Sequence, residues 1–242
     1  MKFSKKLIPL AVVSSLAAPA MMMATPAQAE LSADITMSNM YLWRGLNLTP
    51  DGAAISGTLQ YDHASGFYAG AWTSSEAGGH ETDLYLGFGG EAGPLSYDVS
   101  WWAYLYPEDR DDDGRLVDIT DNDSSELVIS LGVSYFNFTA YIQTDDDNDD
   151  NNYFTLSASN DTFSLTYGFW DLENAATDDD DTGSETFGDY FDEYSHLTLG
   201  YSATDELSFA VSVAFSDLDD DDARAVETDP LFQVAYTLGF EL

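Results

Sequence analysis

Leu207-Ser208-Phe209-Ala210-Val211-Ser212-Val213-Ala214-Phe215 decides the fold. A large apolar side chain stands at every second position, with serine or alanine between. Successive side chains of a strand point to opposite sides, so this stretch is a β-strand with one bulky apolar face and one small or polar face. A helix would scatter both sets around its axis. The same period of two recurs elsewhere. Phe163, Leu165, Tyr167 and Phe169 alternate with Ser164, Thr166 and Gly168. Val234, Tyr236, Leu238, Phe240 and Leu242 alternate with Ala235, Thr237, Gly239 and Glu241.

Working outward from these stretches, the pattern predicts twelve strands, at 32–46, 53–62, 67–75, 81–91, 95–106, 125–135, 136–144, 152–159, 162–170, 190–202, 206–216 and 230–242. Most have the length of roughly 9–11 residues with which a tilted strand crosses a bilayer. Short connections at 63–66, 92–94, 135–137, 160–161 and 203–205 alternate with longer ones, of which 107–124, 145–151, 171–189 and 217–229 are acidic. An outer-membrane barrel has short periplasmic turns and longer outside loops, and an even strand count returns both termini to the periplasm. The predicted fold is therefore all-β: one antiparallel up-and-down transmembrane barrel. The alternative, a secreted β-sandwich, also alternates. It does not call for aromatic residues at strand ends, where Tyr41, Trp43, Trp101, Trp102, Tyr104, Tyr106, Tyr135, Phe136, Trp170, Tyr190, Phe191 and Tyr194 fall. On the barrel reading these form girdles at the two membrane interfaces.

The first residues fit export. Lys2, Lys5 and Lys6 precede an apolar run broken by Pro9 and Pro19, and Ala27-Gln28-Ala29 is a small-x-small cleavage site. Residues 1–29 are thus predicted to be a signal peptide and 30–242 the barrel. Cutting there leaves four arginines against 44 acids, because every acid lies from Glu30 onward. Such a surface repels nucleic acid and attracts cations. The chain has no cysteine, which excludes disulfides and thiol chemistry.

Ser38-Asn39-Met40-Tyr41-Leu42-Trp43-Arg44-Gly45 and Gly66-Phe67-Tyr68-Ala69-Gly70-Ala71-Trp72 carry a resemblance. The chain resembles the TorF-type porin family of proteobacteria, outer-membrane β-barrels whose function is largely uncharacterised. The resemblance implies a location and a transport role, with no catalytic residues to carry over. Outer-membrane barrels often end in an aromatic residue read by the barrel-assembly machinery; Leu242 stands there instead.

If the bulky face meets lipid, the other lines the lumen. That places Asp34, Asp83, Asp98, Glu126, Asn137, Thr139, Gln143, Thr155, Ser164, Thr166, His196, Thr198, Ser212 and Glu241 inside. Arg44 shares the parity of Asp34 and is the only basic residue on a predicted strand. It either tunes a pore or pairs with Asp34, Asp83 or Asp98 to avoid an unpaired buried charge. On the strand at 67–75, parity leaves open whether Phe67 and Ala69 or Tyr68 and Trp72 face lipid. Eight strands give a filled interior and sixteen to eighteen an open channel, so twelve suit a narrow pore. Acidic walls prefer cations, and a channel for acidic sugars would instead be lined with arginine and lysine.

Asp109-Arg110-Asp111-Asp112-Asp113-Gly114 matches the first half of a calcium loop, which makes Asp109, Asp111 and Asp113 candidate Ca²⁺ ligands. Thr120 stands where the bidentate glutamate would complete the motif. A solvated acidic loop is the plainer reading, with divalent bridges to lipopolysaccharide a further one. No cofactor is otherwise required. A lipid-cleaving barrel would need a serine and a histidine on its outer face, but His196 and Ser212 both have luminal parity, and the sequence shows no nucleophile elbow. The sequence-based expectation is a non-enzymatic, cation-preferring porin for small solutes in the outer membrane of a Gram-negative bacterium. Its expected partners are lipid, lipopolysaccharide and the assembly machinery. The rival is a non-conducting structural or surface-interaction barrel, for which the sign would be large side chains meeting across the axis. Nothing in the sequence marks a subunit interface.

Overall fold

The computed structural model describes residues 30–50, 52–76, 79–106, 124–144, 151–172, 194–216 and 228–242. The signal-peptide segment, the candidate calcium ligands Asp109, Asp111 and Asp113, and most of the acidic connections lie outside the described residues.

Twelve strands form a closed antiparallel barrel: β1 (Glu30–Ser38), β4 (Ala54–Asp62), β5 (Phe67–Glu76), β6 (Gly79–Ala92), β7 (Leu95–Leu105), β8 (Ser124–Val133), β9 (Phe136–Gln143), β10 (Asn151–Ser159), β11 (Phe163–Leu172), β12 (Tyr194–Ser202), β13 (Leu207–Ser216) and β14 (Leu231–Glu241). Two further strands, β2 (Leu42–Trp43) and β3 (Leu46–Asn47), pair only with each other. Neighbours in sequence are neighbours in the wall, and β1 closes the ring. Ile35 pairs with Leu238 of β14 on one side and with Gly57 of β4 on the other. Closure leaves no unpaired edge, which a bilayer without hydrogen-bonding partners requires.

The short turns are fixed by local chemistry. Gly66 and Gly93 take positive φ, as does Ser134 at the junction of β8 and β9. At the β10–β11 turn the Asn160 side chain accepts from the backbone N–H groups of Thr162 and Phe163, both at 2.9 Å. Thr204 accepts from those of Glu206 and Leu207 before β13.

The polarity of the wall is inside out. Leu31, Ile35, Met37, Leu59, Leu86, Val99, Leu131, Leu165, Leu199, Phe209 and Leu238 are exposed on the outer face. Asp83, Asp98, Glu126, Thr139, Thr155, Thr166, His196, Thr198 and Ser212 are buried within. Asp34, Asn137 and Ser164 are half-buried, and Glu241 stands exposed at the rim. A soluble sandwich would bury the opposite set. Strand β5 is resolved by its contacts. Tyr68 donates to Asp98 over the inner face of β6 at Gly87, and Trp72 packs on Tyr41, so both face inward, and Phe67 and Ala69 face out.

Two predictions fail. The first concerns the opening strand, expected to run to residue 46. The wall strand ends at Ser38, and the chain then turns into the barrel. The second concerns the aromatic girdles. Trp101, Tyr135 and Phe136 do lie on the outer face, and Tyr190 and Phe191 fall outside the described residues. Tyr41, Trp102, Trp170 and Tyr194 are instead buried inside the barrel, with Trp43 and Tyr104 packed against them or their neighbours. Parity governs: Trp102 shares the side of Asp98, Trp170 that of Thr166, and Tyr194 that of His196.

A charge on the outer face should report the bilayer directly. Leu199 lies mid-strand on β12 and is 51% exposed. Leu199→Lys should lower folding stability in lipid bilayers by about 2–4 kcal/mol, read from urea midpoints. A wall that faced water would tolerate the change.

Candidate functional site

The chain leaves β1 through a fixed exit. Asn39 exchanges three hydrogen bonds with β14: its backbone N–H donates to Val234, its side-chain amide donates to Phe232 and its side-chain oxygen accepts from Val234. The Gln233 amide donates to the Met40 carbonyl at 3.0 Å. The segment then folds back on itself, with Leu42 opposite Asn47 and Trp43 opposite Leu46. The two residues between, Arg44 and Gly45, have φ of 45° and 90°. Positive φ at both central positions is the signature of the primed turn that closes a two-residue hairpin with the right twist. The backbone N–H of Leu48 donates to the Tyr41 carbonyl at 2.8 Å and closes the base. Thr49 and the Glu81 carboxylate hold Tyr41 by its N–H and its hydroxyl.

This hairpin descends into the lumen and carries Arg44 at its tip. Arg44 is 4% exposed and Glu126, from β8, is 2% exposed. One guanidinium nitrogen, Nη2, donates to both oxygens of Glu126, at 2.7 and 2.6 Å. Tyr104 donates its hydroxyl to the same carboxylate at 2.6 Å. Four rings surround the guanidinium: its carbon lies 4.6 Å from the Trp43 centroid, 4.8 Å from Tyr141, 4.5 Å from Tyr153 and 4.8 Å from Trp170. Each ring presents a negative face to the cation. An arginine side chain keeps its charge in a protein, so the buried cation must be met in place, and Glu126 meets it.

The backbone of the tip is seated as tightly as its charge. The Tyr194 hydroxyl donates to the Arg44 carbonyl at 3.0 Å. A Cβ at Gly45 would come within 2.6 Å of His196 Cβ and Cγ, so only glycine fits both the space and the φ. His196 is held in turn, its Nε2 at 2.7 Å from the Tyr153 hydroxyl and its Nδ1 at 3.0 Å from Thr198. A Cβ at Gly168 would overlap both Tyr153 Oη and His196 Nε2, so this glycine makes the hollow the pair occupies. Around the hairpin, Leu46, Tyr85, Trp102, Val128, Tyr141, Tyr153, Trp170, Tyr194 and Ala214 form one buried cluster. Beside its base a cavity of about 20 Å³, room for about one water, lies among Thr36, Ser38, Tyr41, Leu42, Ser74 and Gln233.

The predicted luminal residues are thus brought together only in part. Arg44 and Glu126 meet, with His196 behind the Arg44–Gly45 turn. Asp98 takes the Tyr68 hydroxyl instead, and Asn137 forms a network with Ser130 and Thr139. Gln143 pairs across from Glu126 and donates to Ser124. Asp83 is buried on β6, and Asp34 is half-buried on β1. The expected partner of Arg44 among Asp34, Asp83 and Asp98 is corrected to Glu126, because Arg44 reaches the lumen on a hairpin and not on the wall. The aromatic cage was missed, although parity alone places Tyr141 beside Thr139 and Gln143, and Tyr153 beside Thr155. Ser212 bonds Thr198 at 2.7 Å, and Thr198 stands between it and His196, so these residues do not form a serine–histidine pair. No group of three or more metal-binding side chains occurs among the described residues.

A closed meander with an apolar outer belt and a polar, aromatic-filled lumen defines the class: a membrane-spanning β-barrel. The chain belongs to the Gcw_chp family, bacterial proteins of unknown function, whose model matches residues 23–237. No curated protein matches it. Among solved structures it is similar to a KdgM porin, at 9% identity and a TM-score of 0.45, covering 86% of this chain and 98% of that one. A KdgM porin in complex with disordered oligogalacturonate gives 9% identity and a TM-score of 0.39, covering 88% and 97%. A NanC porin gives 10% and 0.36, covering 86% and 97%.

Removing one partner of the buried pair strands the other charge. Glu126→Gln should cost about 3–5 kcal/mol of folding stability. The double variant Arg44→Met, Glu126→Leu should recover most of it, both read from urea midpoints of the refolded barrel.

Proposed function

We propose that the protein is an outer-membrane, porin-type barrel for small solutes. Residues 1–29 serve as its export signal, and both termini lie in the periplasm. The observation that carries this reading is the inside-out wall around a polar interior. Lipid accounts for the outer belt, and a lumen lined by Asp34, Asp83, Asp98 and Glu126 accounts for the inner face. Arg44 is the only lysine or arginine among the described residues, and Glu126 neutralises it. The remaining charge is acidic, so the pore prefers cations. The hairpin and the aromatic cluster make this state a closed or very narrow one. Conduction then requires the hairpin to leave its seat.

A second reading, a non-conducting structural barrel, is favoured by one observation: the hairpin packs Trp43 and Arg44 inside the barrel against Tyr141, Tyr153 and Trp170 of the wall. On that reading the acidic connections act at the cell surface, and Asp109, Asp111 and Asp113 would hold calcium.

The two readings separate in a planar bilayer under a salt gradient. The Tyr41 carbonyl and the Leu48 N–H are already joined at 2.8 Å, so Gly-Gly can replace residues 42–47 without stretching the chain. The intact barrel should show rare, small steps. The excised variant should show larger ones with a cation-selective reversal potential. Silence from both, with folding verified, would favour the structural barrel, and anion selectivity would overturn the acidic-lumen argument.

A further inference from the structure

The cage around Arg44 belongs to the wall, and its occupant does not. Glu126, Tyr104, Tyr141, Tyr153 and Trp170 come from β7 to β11, each strand hydrogen-bonded along its length to both neighbours. Arg44 comes from a hairpin of two residue pairs with a positive φ at a non-glycine residue. Trp43 travels with it, and three rings and a carboxylate stay behind. That residual set is ordered from outside itself. Tyr104 holds Glu126, while His196 and the hollow at Gly168 hold Tyr153. Nothing in it depends on a covalent link to the cation.

We propose that this cage is a recognition site for small guanidinium-bearing cations, and that Arg44 fills it as a tethered occupant which a free cation can displace. The inference rests on the porin reading and names the solute class that such a pore would admit. The chemistry is that of the observed occupant. A flat cation lies against aromatic faces at 4.5–4.8 Å and sets one terminal nitrogen on both oxygens of a carboxylate. Its other terminal nitrogen, Nη1, is buried and meets no acceptor among the described residues, so the single Nη2 contact with Glu126 is the polar anchor of the cation. A hydrated sodium or potassium ion gains less from the rings, and an anion meets Glu126. Entry of the cation and departure of the hairpin are then one exchange, in which the solute replaces the Arg44 contacts as the hairpin gives them up.

The test uses Arg44→Gly in the full mature chain, since glycine accepts the φ of 45° and empties the cage. Folding is verified by heat-modifiable migration. Methylguanidinium should raise the Tm saturably over sodium at equal ionic strength and should block the variant's bilayer current. Adding Glu126→Gln should weaken both effects by about tenfold or more. A Tm response no greater than that to sodium, or one indifferent to Glu126→Gln, would overturn the proposal. Current that methylguanidinium fails to block would sink the proposal and leave the porin reading intact. A saturable, Glu126-dependent Tm rise without any current would support the cage and remove the porin reading. Should Arg44→Gly not fold, the Gly-Gly excision variant offers the same cage without Trp43, and the same outcomes decide.

Discussion

A guanidinium held inside a membrane barrel is the constraint from which the rest of the lumen follows. Arg44 cannot shed its proton, and the wall around it faces lipid on its other side, so the charge must be met where it sits. Glu126 meets it with both oxygens, Tyr104 completes the carboxylate, and four rings line the remaining directions. The backbone requirements follow. The tip needs a tight turn, which Gly45 permits against His196, and the ring of Tyr153 needs the hollow that Gly168 leaves. Each of these residues makes sense only if the hairpin is seated.

The barrel's size makes the seat necessary. Twelve strands enclose more space than eight, and small side chains on the wall would leave it empty or wet. This chain fills it unevenly. From β6 to β12 the inner face carries Tyr85, Trp102, Tyr141, Tyr153, Trp170 and Tyr194. On β13, β14 and β4 it carries Ala210, Ala214, Ser208, Ser212, Ala235 and Ala54. The hairpin takes the space beside the small residues, with Leu46 in the same cluster as Ala214 and Leu42 beside Ala54. One half of the wall supplies the cage and the other supplies the room. The outer belt is indifferent to this asymmetry, because lipid asks only that side chains be apolar.

The wall was legible in the sequence because its physics is local. A strand with lipid on one side must alternate, as 207–215 does, and most strand ends fell within two residues of their predicted places. Inward parity was equally legible for Glu126, Thr139, Gln143 and His196. The hairpin was not. Tyr41 and Trp43 continue the alternation of β1, so the pattern reads as a longer strand, although Arg44-Gly45 between Leu42-Trp43 and Leu46-Asn47 is a two-residue turn signal. The girdle reading failed for a related reason. An aromatic near a strand end suits an interface, yet Trp102, Trp170 and Tyr194 keep the parity of their polar neighbours. Which acid meets Arg44 depends on how the barrel closes, and no spacing in the sequence encodes that β8 lies opposite the tip.

The central claim is that the hairpin sits inside the lumen. The chain has no cysteine, so a single introduced thiol reports its own surroundings. Leu42 is 1% exposed, whereas Gly52, on the same excursion, is exposed with open space about its Cα. The measurement is the rate at which a charged, water-soluble thiol reagent modifies Leu42→Cys and Gly52→Cys in the folded barrel in lipid. A seated hairpin opens only by local unfolding, so Leu42→Cys should react about a hundredfold more slowly than Gly52→Cys and match it on denaturation. Equal rates in the folded barrel would contradict the account, for the hairpin would then lie outside and Arg44 would have no cage to fill.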